Sequence, residues 1–313
     1  MQPAAESADL LVGPGGFDDA GALRREDGRI QLFSVDFFPP VVDDAAAYGA
    51  IAAANSLSDL YAMGGEAVAV LNLAGFPEDW DASVTGPVFE AAAAKVREAE
   101  ALWVGGHTVR AAEPLFGFAV FGEVAEAHLV TNRGACPGDL LYLSKPLGCG
   151  PITTAVKRQE ARPEWVEAAQ AGMARLNRSA ARALRSAGVR AATDVTGFGL
   201  FGHAVNLARA SAVQLVFRAV ALPLYEGAGE LAARGVLSGA SRRGRGSLGD
   251  AVRVEVGVPS WLADLCFDAE TSGGILAAVP EAAQSAFEGA FPPGEEPVLV
   301  GEVQEGEPGV LLC

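Results

Sequence analysis

Apolar and polar positions along this chain fall into runs of alternating strand and helix character. Ile30 to Phe38 is an apolar-rich run stopped by Pro39-Pro40, which predicts a strand. Asp43 and Asp44 then suit a helix N-cap, and the Ala-rich run to Met63 has helical periodicity and ends at Gly64-Gly65, a natural C-cap. Ala67 to Leu73 predicts a second strand closed by Gly75-Phe76-Pro77, and a helix follows over roughly Val84 to Ala101. Leu102-Trp103-Val104 reads as a short strand leading into Gly105-Gly106-His107, and Leu115 to Val124 as a further strand.

Near Thr131-Asn132-Arg133-Gly134 the pattern turns to loop, and Pro137-Gly138-Asp139 precedes a new strand at Leu140 to Leu143. A domain boundary is expected there, giving an N-terminal domain over residues 1–133 and a C-terminal domain over 134–313. A length of 313 residues agrees with two domains at ~150 residues each. The second half repeats the mixture: a helix over about Arg162 to Ala187, the segment Thr193 to Gly199 with a helix after it, the stretch Asp268 to Leu276, and a final strand at Val298 to Val303. Interleaved strands and helices in both halves predict a mixed fold, α+β or α/β. No short-period repeat or heptad array is present.

Half of the residues are hydrophobic and 20% are charged, a compact globular composition. The net charge of −16 argues against a nucleic-acid partner, which needs basic surface to neutralise phosphates. Excess acid is compatible with bound divalent cations and equally with plain solubilising surface. Cys136, Cys149, Cys266 and Cys313 show no CxxC spacing, a sparse usage that fits a reducing cytoplasm, and Cys149 and Cys266 read as small core residues. Met1 to Ser7 lacks the basic and apolar regions of a signal peptide. The Ala-rich stretch Tyr48 to Phe76 is broken by Asn55, Asp59, Gly64, Gly65 and Glu66 and cannot span a bilayer.

Candidate chemistry lies in acidic residues beside glycines or at the ends of apolar segments: Asp18-Asp19 after Gly15-Gly16, Asp36 at a strand end, Asp59 in the Ala-rich helix, and Asp194 before Gly197-Phe198-Gly199. A lone buried carboxylate is too costly to desolvate, so such residues are paired, hydrogen-bonded or metal-bound. Convergent carboxylates make the oxygen-rich site Mg²⁺ prefers, with nucleotide phosphates completing its shell. Taken singly, each could equally be an N-cap or a turn residue. Asn55 and Asp59, four apart on a helix, share a face that turns either to a ligand or to water. Gly105-Gly106-His107-Thr108 is either a glycine-rich loop approaching a phosphate or a strand-end turn, and His107 either a ligand or a hydrogen-bonding loop histidine. Ser241 to Ser247, with Arg242, Arg243 and Arg245, is either a mobile clamp over phosphates or a solvated loop. Thr271-Ser272-Gly273-Gly274 is either a turn opening a strand or a ligand loop. There is no GxxxxGK[ST] loop, and Gly13-Pro14-Gly15-Gly16-Phe17 is not a dinucleotide fingerprint.

Taken in order, these segments resemble the selenophosphate synthetase (selenide, water dikinase) family. The resemblance is carried by Leu10-Leu11-Val12-Gly13 with Asp18-Asp19-Ala20, by Val35-Asp36-Phe37-Phe38 with Pro40-Val41-Val42-Asp43, and by the helix Ile51 to Gly65. Gly105-Gly106-His107-Thr108, Lys145-Pro146-Leu147-Gly148, Thr193 to Gly199 with Gly202-His203, and Thr271-Ser272-Gly273-Gly274 continue it. It runs from about Leu10 to the C-terminal strand. It implies the two-domain fold of aminoimidazole ribonucleotide synthetase and thiamine monophosphate kinase, a homodimer built through the N-terminal domains, and conversion of ATP, selenide and water to selenophosphate, AMP and phosphate. By the same resemblance Asp19, Asp59 and Asp194 match Mg²⁺ ligands, while Gly16, Phe17, Asp18, Asp36, Gly105, Gly106 and His107 match nucleotide contacts. The alternatives are an ATP-binding, catalytically impaired paralogue and another enzyme of the superfamily.

The sequence departs from the family's pattern in three places. The family carries a glycine-rich loop with a Cys or selenocysteine, then a Lys, upstream of the segment corresponding to Leu10 to Gly13, so no catalytic residue of that kind is assigned here. The expectation is an open reading frame that begins earlier, with an in-frame selenocysteine codon, against the rival of a natural or engineered truncation. Ala269-Glu270 stands where the family usually has Pro-Gln, and Gly244 where it usually has Asn.

Overall fold

A computed structural model describes residues 7–313, and residues 1–6, within the stretch read above for a leader, lie outside it. Among the described residues the first sheet has six strands: β1 (Leu10–Val12), β2 (Gly21–Arg24), β3 (Arg29–Phe38), β4 (Glu66–Phe76), β5 (Leu102–Arg110) and β6 (Leu115–Ala125). Their spatial order is β1-β2-β3-β6-β4-β5. All neighbours are antiparallel except β4 and β5, which run parallel and are joined over a helix. Along β3 the even-numbered residues turn inward, with Ile30 and Leu32 fully buried, while Val35 and Phe37 stand out in solvent. That two-residue period puts Ser34 and Asp36 on the covered face.

Helix α1 (Ala45–Ala62) and helix α2 (Ala82–Glu98) cover that face. Asp44 caps α1, its side chain accepting from the Ala47 amide at 2.6 Å, as the acidic pair before the Ala-rich run predicts. Fourteen of the 18 residues of α1 are buried, so this helix has no stripe left for water. Gly49 lets it lie against α2, since a Cβ there would run into the Val88 backbone.

The second sheet contains β7 (Leu140–Leu143), β8 (Ala191–Asp194), β9 (Gln214–Phe217), β10 (Val252–Val254), β11 (Ile275–Val279), β12 (Val298–Gln304) and β13 (Gly309–Leu312), in the order β10-β13-β9-β12-β7-β11-β8. Around it lie α3 (Cys149–Lys157), α4 (Pro163–Ala174), α5 (Arg178–Ser186), α6 (Gly199–Ser211), α7 (Ala228–Ala233), α8 (Gly239–Leu248), α9 (Ser260–Cys266) and α10 (Gln284–Glu288). Cys149 and Cys266 are buried core residues, as their apolar contexts imply. The fold is the mixed α and β arrangement expected. Helix α1 is its hinge of contact: it packs on β3 and β6 of the first sheet and on α4, α5 and β8 of the second half.

Three sequence expectations are corrected. The helix expected over Arg162 to Ala187 is two helices, broken at residues 175–177. There the Arg175 carbonyl accepts from Lys145 Nζ at 2.7 Å, and the Asn177 amide donates to Ser58 Oγ and the Gly273 carbonyl, both at 2.8 Å. A continuous helix would have spent that carbonyl on its own ladder. Gly105-Gly106-His107-Thr108 is not a loop: β5 continues through it to Arg110, in register with β4. The arginine cluster forms helix α8, capped by Ser238, whose hydroxyl accepts from the Ala240 amide at 3.1 Å. Arg245 is fixed there on Asp264 Oδ1 at 2.7 Å and lies over the Phe267 ring.

Candidate functional site

The two inward residues near the end of β3 meet the polar turn of α1. The Ser34 hydroxyl donates to Asp59 Oδ2, and Asn55 Nδ2 donates to Asp36 Oδ2 at 2.7 Å. Ser56 Oγ donates to the Asp36 carbonyl at 3.0 Å and so fixes the strand to the helix. Asn55 and Asp59 are only 5% and 9% exposed, which settles their shared face: it turns neither to water nor to apolar core but to the junction between the two halves. From the other side comes the Thr271-to-Gly274 turn, whose Ser272 amide donates to Asn55 Oδ1 at 2.8 Å.

Strand β8 then delivers Asp194 at its end, beside Thr193. The Thr193 hydroxyl donates to Asp19 Oδ1 at 2.8 Å across 174 residues of sequence. Side-chain ligand atoms of Asp19, Asp194 and His203 lie within 4.8 Å of one another. Thus Asp19, Asp36, Asp59 and Asp194, which come from a loop, a strand, a helix and a second strand, converge on one place.

Their mutual electrostatics are unfavourable without a cation. Burial, then the neighbouring Asp194 charge, holds the Asp19 carboxyl well above its usual range. Burial also raises Asp59 well above its usual range, with Asp194, Asp36 and Asp19 adding to it. Burial also raises Asp36, against the opposing Asn55 hydrogen bond. Asp194 is pushed up to about 6 by burial, partly relieved by a Ser58 hydrogen bond and aggravated by Asp36. Its Oδ2 is buried and has no hydrogen-bond partner among the described residues. Buried acceptors are nearly always paired, so an orphaned carboxylate oxygen facing three more carboxylates fits a hard cation with oxygen ligands such as Mg²⁺.

The segment Gly16-Phe17-Asp18 leads into this place. Phe17 adopts a left-handed backbone conformation, φ 56°, and its ring is 77% exposed. Asn132 holds the loop: its backbone amide donates to Asp18 Oδ1 at 2.6 Å and its side-chain amide to the Phe17 carbonyl at 2.7 Å. Gly16 and Asp18 line a cleft of about 320 Å³ together with Thr131 and Arg133.

Gly105, Gly106 and His107 are not brought to the carboxylates within one chain. Gly106 is in register with Asn72, Phe118 and Asp36 across the sheet, three strand spacings or ~14 Å from the last. His107 lies in the next row, with Leu73, Gly117 and Phe37, and so on the opposite, exposed face.

The sequence alone assigns no role to Thr193, His203, Asn132 or Lys145. His203 is 8% exposed, and its Nε2 accepts from the Thr196 amide at 3.1 Å; burial pushes its ring down to about 4. Lys145 is 2% exposed, with Nζ donating to the Arg175 and Ser272 carbonyls at 2.7 Å, and burial, then Arg175, brings its ammonium down to about 7. Both lie inside quoted motifs; the missing signal was the partner each would reach in space.

With the geometry in hand, comparison with known proteins gives a consistent picture. The chain matches "AIR synthase related protein, N-terminal domain" over residues 17–124 and "AIR synthase related protein, C-terminal domain" over residues 136–313. It is 41% identical over 303 residues to a selenide, water dikinase of Myxococcus xanthus, covering 96% of this chain and 86% of that protein. A protein of the same name from Caldanaerobacter subterraneus is 42% identical over 273 residues, covering 87% and 79%. Among solved structures, thiamine monophosphate kinase of Aquifex aeolicus superposes with a TM-score of 0.69 at 18% identity, covering 94% of this chain and 90% of that one. Hydrogenase maturation protein HypE in complex with ATP gives 0.66 at 18% identity, covering 90% and 81%. At such identities the structures speak for the fold alone.

Proposed function

This chain belongs to the selenide, water dikinase family of AIR synthase related proteins, and from that premise we propose that it makes selenophosphate, AMP and phosphate from ATP, selenide and water. The observation that carries the reading is the buried Oδ2 of Asp194, without a partner among the described residues, beside Asp19, Asp36 and Asp59. Asp19, Asp59 and Asp194 would hold Mg²⁺, which supplies neutralising charge to phosphoryl oxygens in such a site. Asp19 and Asp194 are presented from opposite halves, so the distance between loop and strand is set by the Thr193 bridge before any ligand arrives.

Around that centre the chain's own groups position the nucleotide. The Gly16-Phe17-Asp18 loop, fastened by Asn132, borders the open cleft through Gly16 and Asp18, while the Phe17 ring stands exposed beside it. Asp36 is oriented by Asn55, which in turn is fixed by Ser272, so strand, helix and turn move as a unit. The division of labour follows a boundary at residues 133/134.

The outer face of the first sheet supports a homodimer. Val35, Phe37, Val68, Leu102, Val104 and Val109 are all at least 44% exposed on it, an apolar strip that a second copy would cover. Gly105, Gly106 and His107 run along the same edge, and in that assembly they would serve the nucleotide of the other subunit. Sparse cysteines agree with a cytoplasmic setting, and among the described residues no helix is long and apolar enough to cross a membrane.

The test is ³¹P NMR of the full protein, expressed from its genomic locus, with ATP, Mg²⁺ and selenide. Selenophosphate together with AMP supports the reading. Bound but intact ATP would favour a non-catalytic paralogue, and ADP formed with a phosphorylated organic substrate another kinase of the fold.

A further inference from the structure

We propose that His203 is a positioning residue that aims Asp19 at the cation through Thr193, and is not itself a ligand. This rests on the reading that Asp19 and Asp194 hold the metal. The ring sits near those carboxylates, and proximity alone would make it a third ligand. Its nitrogens say otherwise. The Thr196 backbone amide, which can only donate, meets Nε2 at 3.1 Å, and the Thr196 hydroxyl lies 3.2 Å from the same nitrogen. Nε2 therefore carries the lone pair, and the ring is neutral with its proton on Nδ1.

Nδ1 lies 3.4 Å from Thr193 Oγ1. That hydroxyl has one proton and two competing acceptors, Asp19 Oδ1 at 2.8 Å and the Asp194 carbonyl at 3.1 Å. With Nδ1–H donating to it, the hydroxyl keeps its proton for Asp19, the nearer and more basic acceptor. In the opposite tautomer Nδ1 would compete for that proton and Nε2–H would oppose the Thr196 amide. The tautomer thus selects the Asp19 rotamer, a hydrogen-bonding role one step removed from the metal. Both nitrogens are occupied, and the Phe198 ring, centred 5.7 Å from the imidazole, closes one side.

The test uses the full protein with Mn²⁺ as probe. Nitrogen-15 NMR of the metal-free protein should show one of the three histidines fixed as the Nδ1–H tautomer at neutral pH. Mn²⁺ affinity should fall about 10- to 100-fold in His203→Phe and in Thr193→Val. Thr193→Ser, which keeps the hydroxyl, and His203→Asn, which keeps a donor near Nδ1, should restore it to within a few-fold of wild type. The double variant His203→Phe/Thr193→Val should bind no worse than Thr193→Val alone, because the two act in series. Pulsed EPR of the Mn²⁺ complex should lack directly coordinated imidazole nitrogen. An Nε2–H or charged ring, a direct nitrogen coupling, or a folded His203→Phe that binds Mn²⁺ like wild type each overturns the proposal. If His203→Phe fails to fold, Thr193→Val, His203→Asn and the wild-type spectra still decide it. A wild type that binds no Mn²⁺ would instead overturn the metal reading, while the tautomer would still report on His203.

Discussion

Glu270 and Asp194 are both buried carboxylates, 3% and 1% exposed, yet the protein treats them differently. Glu270 sits at the start of α3, where Oε1 accepts the Gly148 amide at 2.6 Å and Oε2 the Cys149 amide at 3.1 Å. Each oxygen has a donor, and the helix start favours negative charge. Asp194 leaves one oxygen with no partner among the described residues and lies beside other acids. One carboxylate completes a piece of architecture and needs nothing from outside. The other leaves an electrostatic problem that a proton relieves at low pH and an incoming cation relieves above it. Asp36 lies between them, with one oxygen served by Asn55.

The sharpest way to break this contrast is Asp194→Asn. It should lower Mg²⁺-dependent ATP turnover by more than ~100-fold, and, by relieving repulsion, raise the metal-free Tm by about 2–4 °C. Loss of activity with a lowered Tm would mean that Asp194 is structural like Glu270. Next, Asn55→Ala removes the donor to Asp36 and the acceptor for Ser272, and should cost about 1–3 kcal/mol in denaturant unfolding. An unchanged midpoint would show the junction to be solvated.

The third prediction concerns pH. The folded Asp194 carboxyl titrates near 6, above its ordinary 3.8, so between those values the folded state holds a proton the unfolded chain releases. Stability of the metal-free protein should therefore fall as pH rises through that window. Mg²⁺ should add more to Tm above pH 6 than at pH 5, by about 2–4 °C per kcal/mol. An equal Mg²⁺ effect at both values would contradict cation binding to these acids. The smallest effect belongs to Glu270→Gln. Glu270 is pushed from 4.5 to about 7, by burial first, so this change should flatten the decline of stability over that range and leave the Mg²⁺ response alone. A reduced Mg²⁺ response would join Glu270 to the site.

The carboxylates were legible in the sequence because burying an acid is expensive, so Asp59 in an alanine-rich helix and Asp194 after an apolar run stood out. The main strands and α1 were legible for the same reason, their apolar spacing being driven by one covered face. The second half was harder. Its strands β8, β9 and β11 are buried end to end and lack the alternation that marks a half-exposed strand. The break before α5 depends on Lys145 and Ser58, both distant in sequence. Gly105 and Gly106 suggested a loop because glycine commonly marks turns, but pairing with β4 keeps them extended. His203 went unassigned since a histidine's role lies in which nitrogen is occupied, a fact of space and not of spelling.

Helix α1 carries one more implication. Being enclosed on every side, it belongs to both sheets at once, and the buried core continues through it from Val12 to Leu312. Neither half owns its own lid. Heat or denaturant should therefore melt the chain in a single step, and a fragment ending between the sheets would bare the α1 surface that α4, α5 and β8 now cover. The place where the acids meet is thus also the seam that makes two sheets one cooperative body.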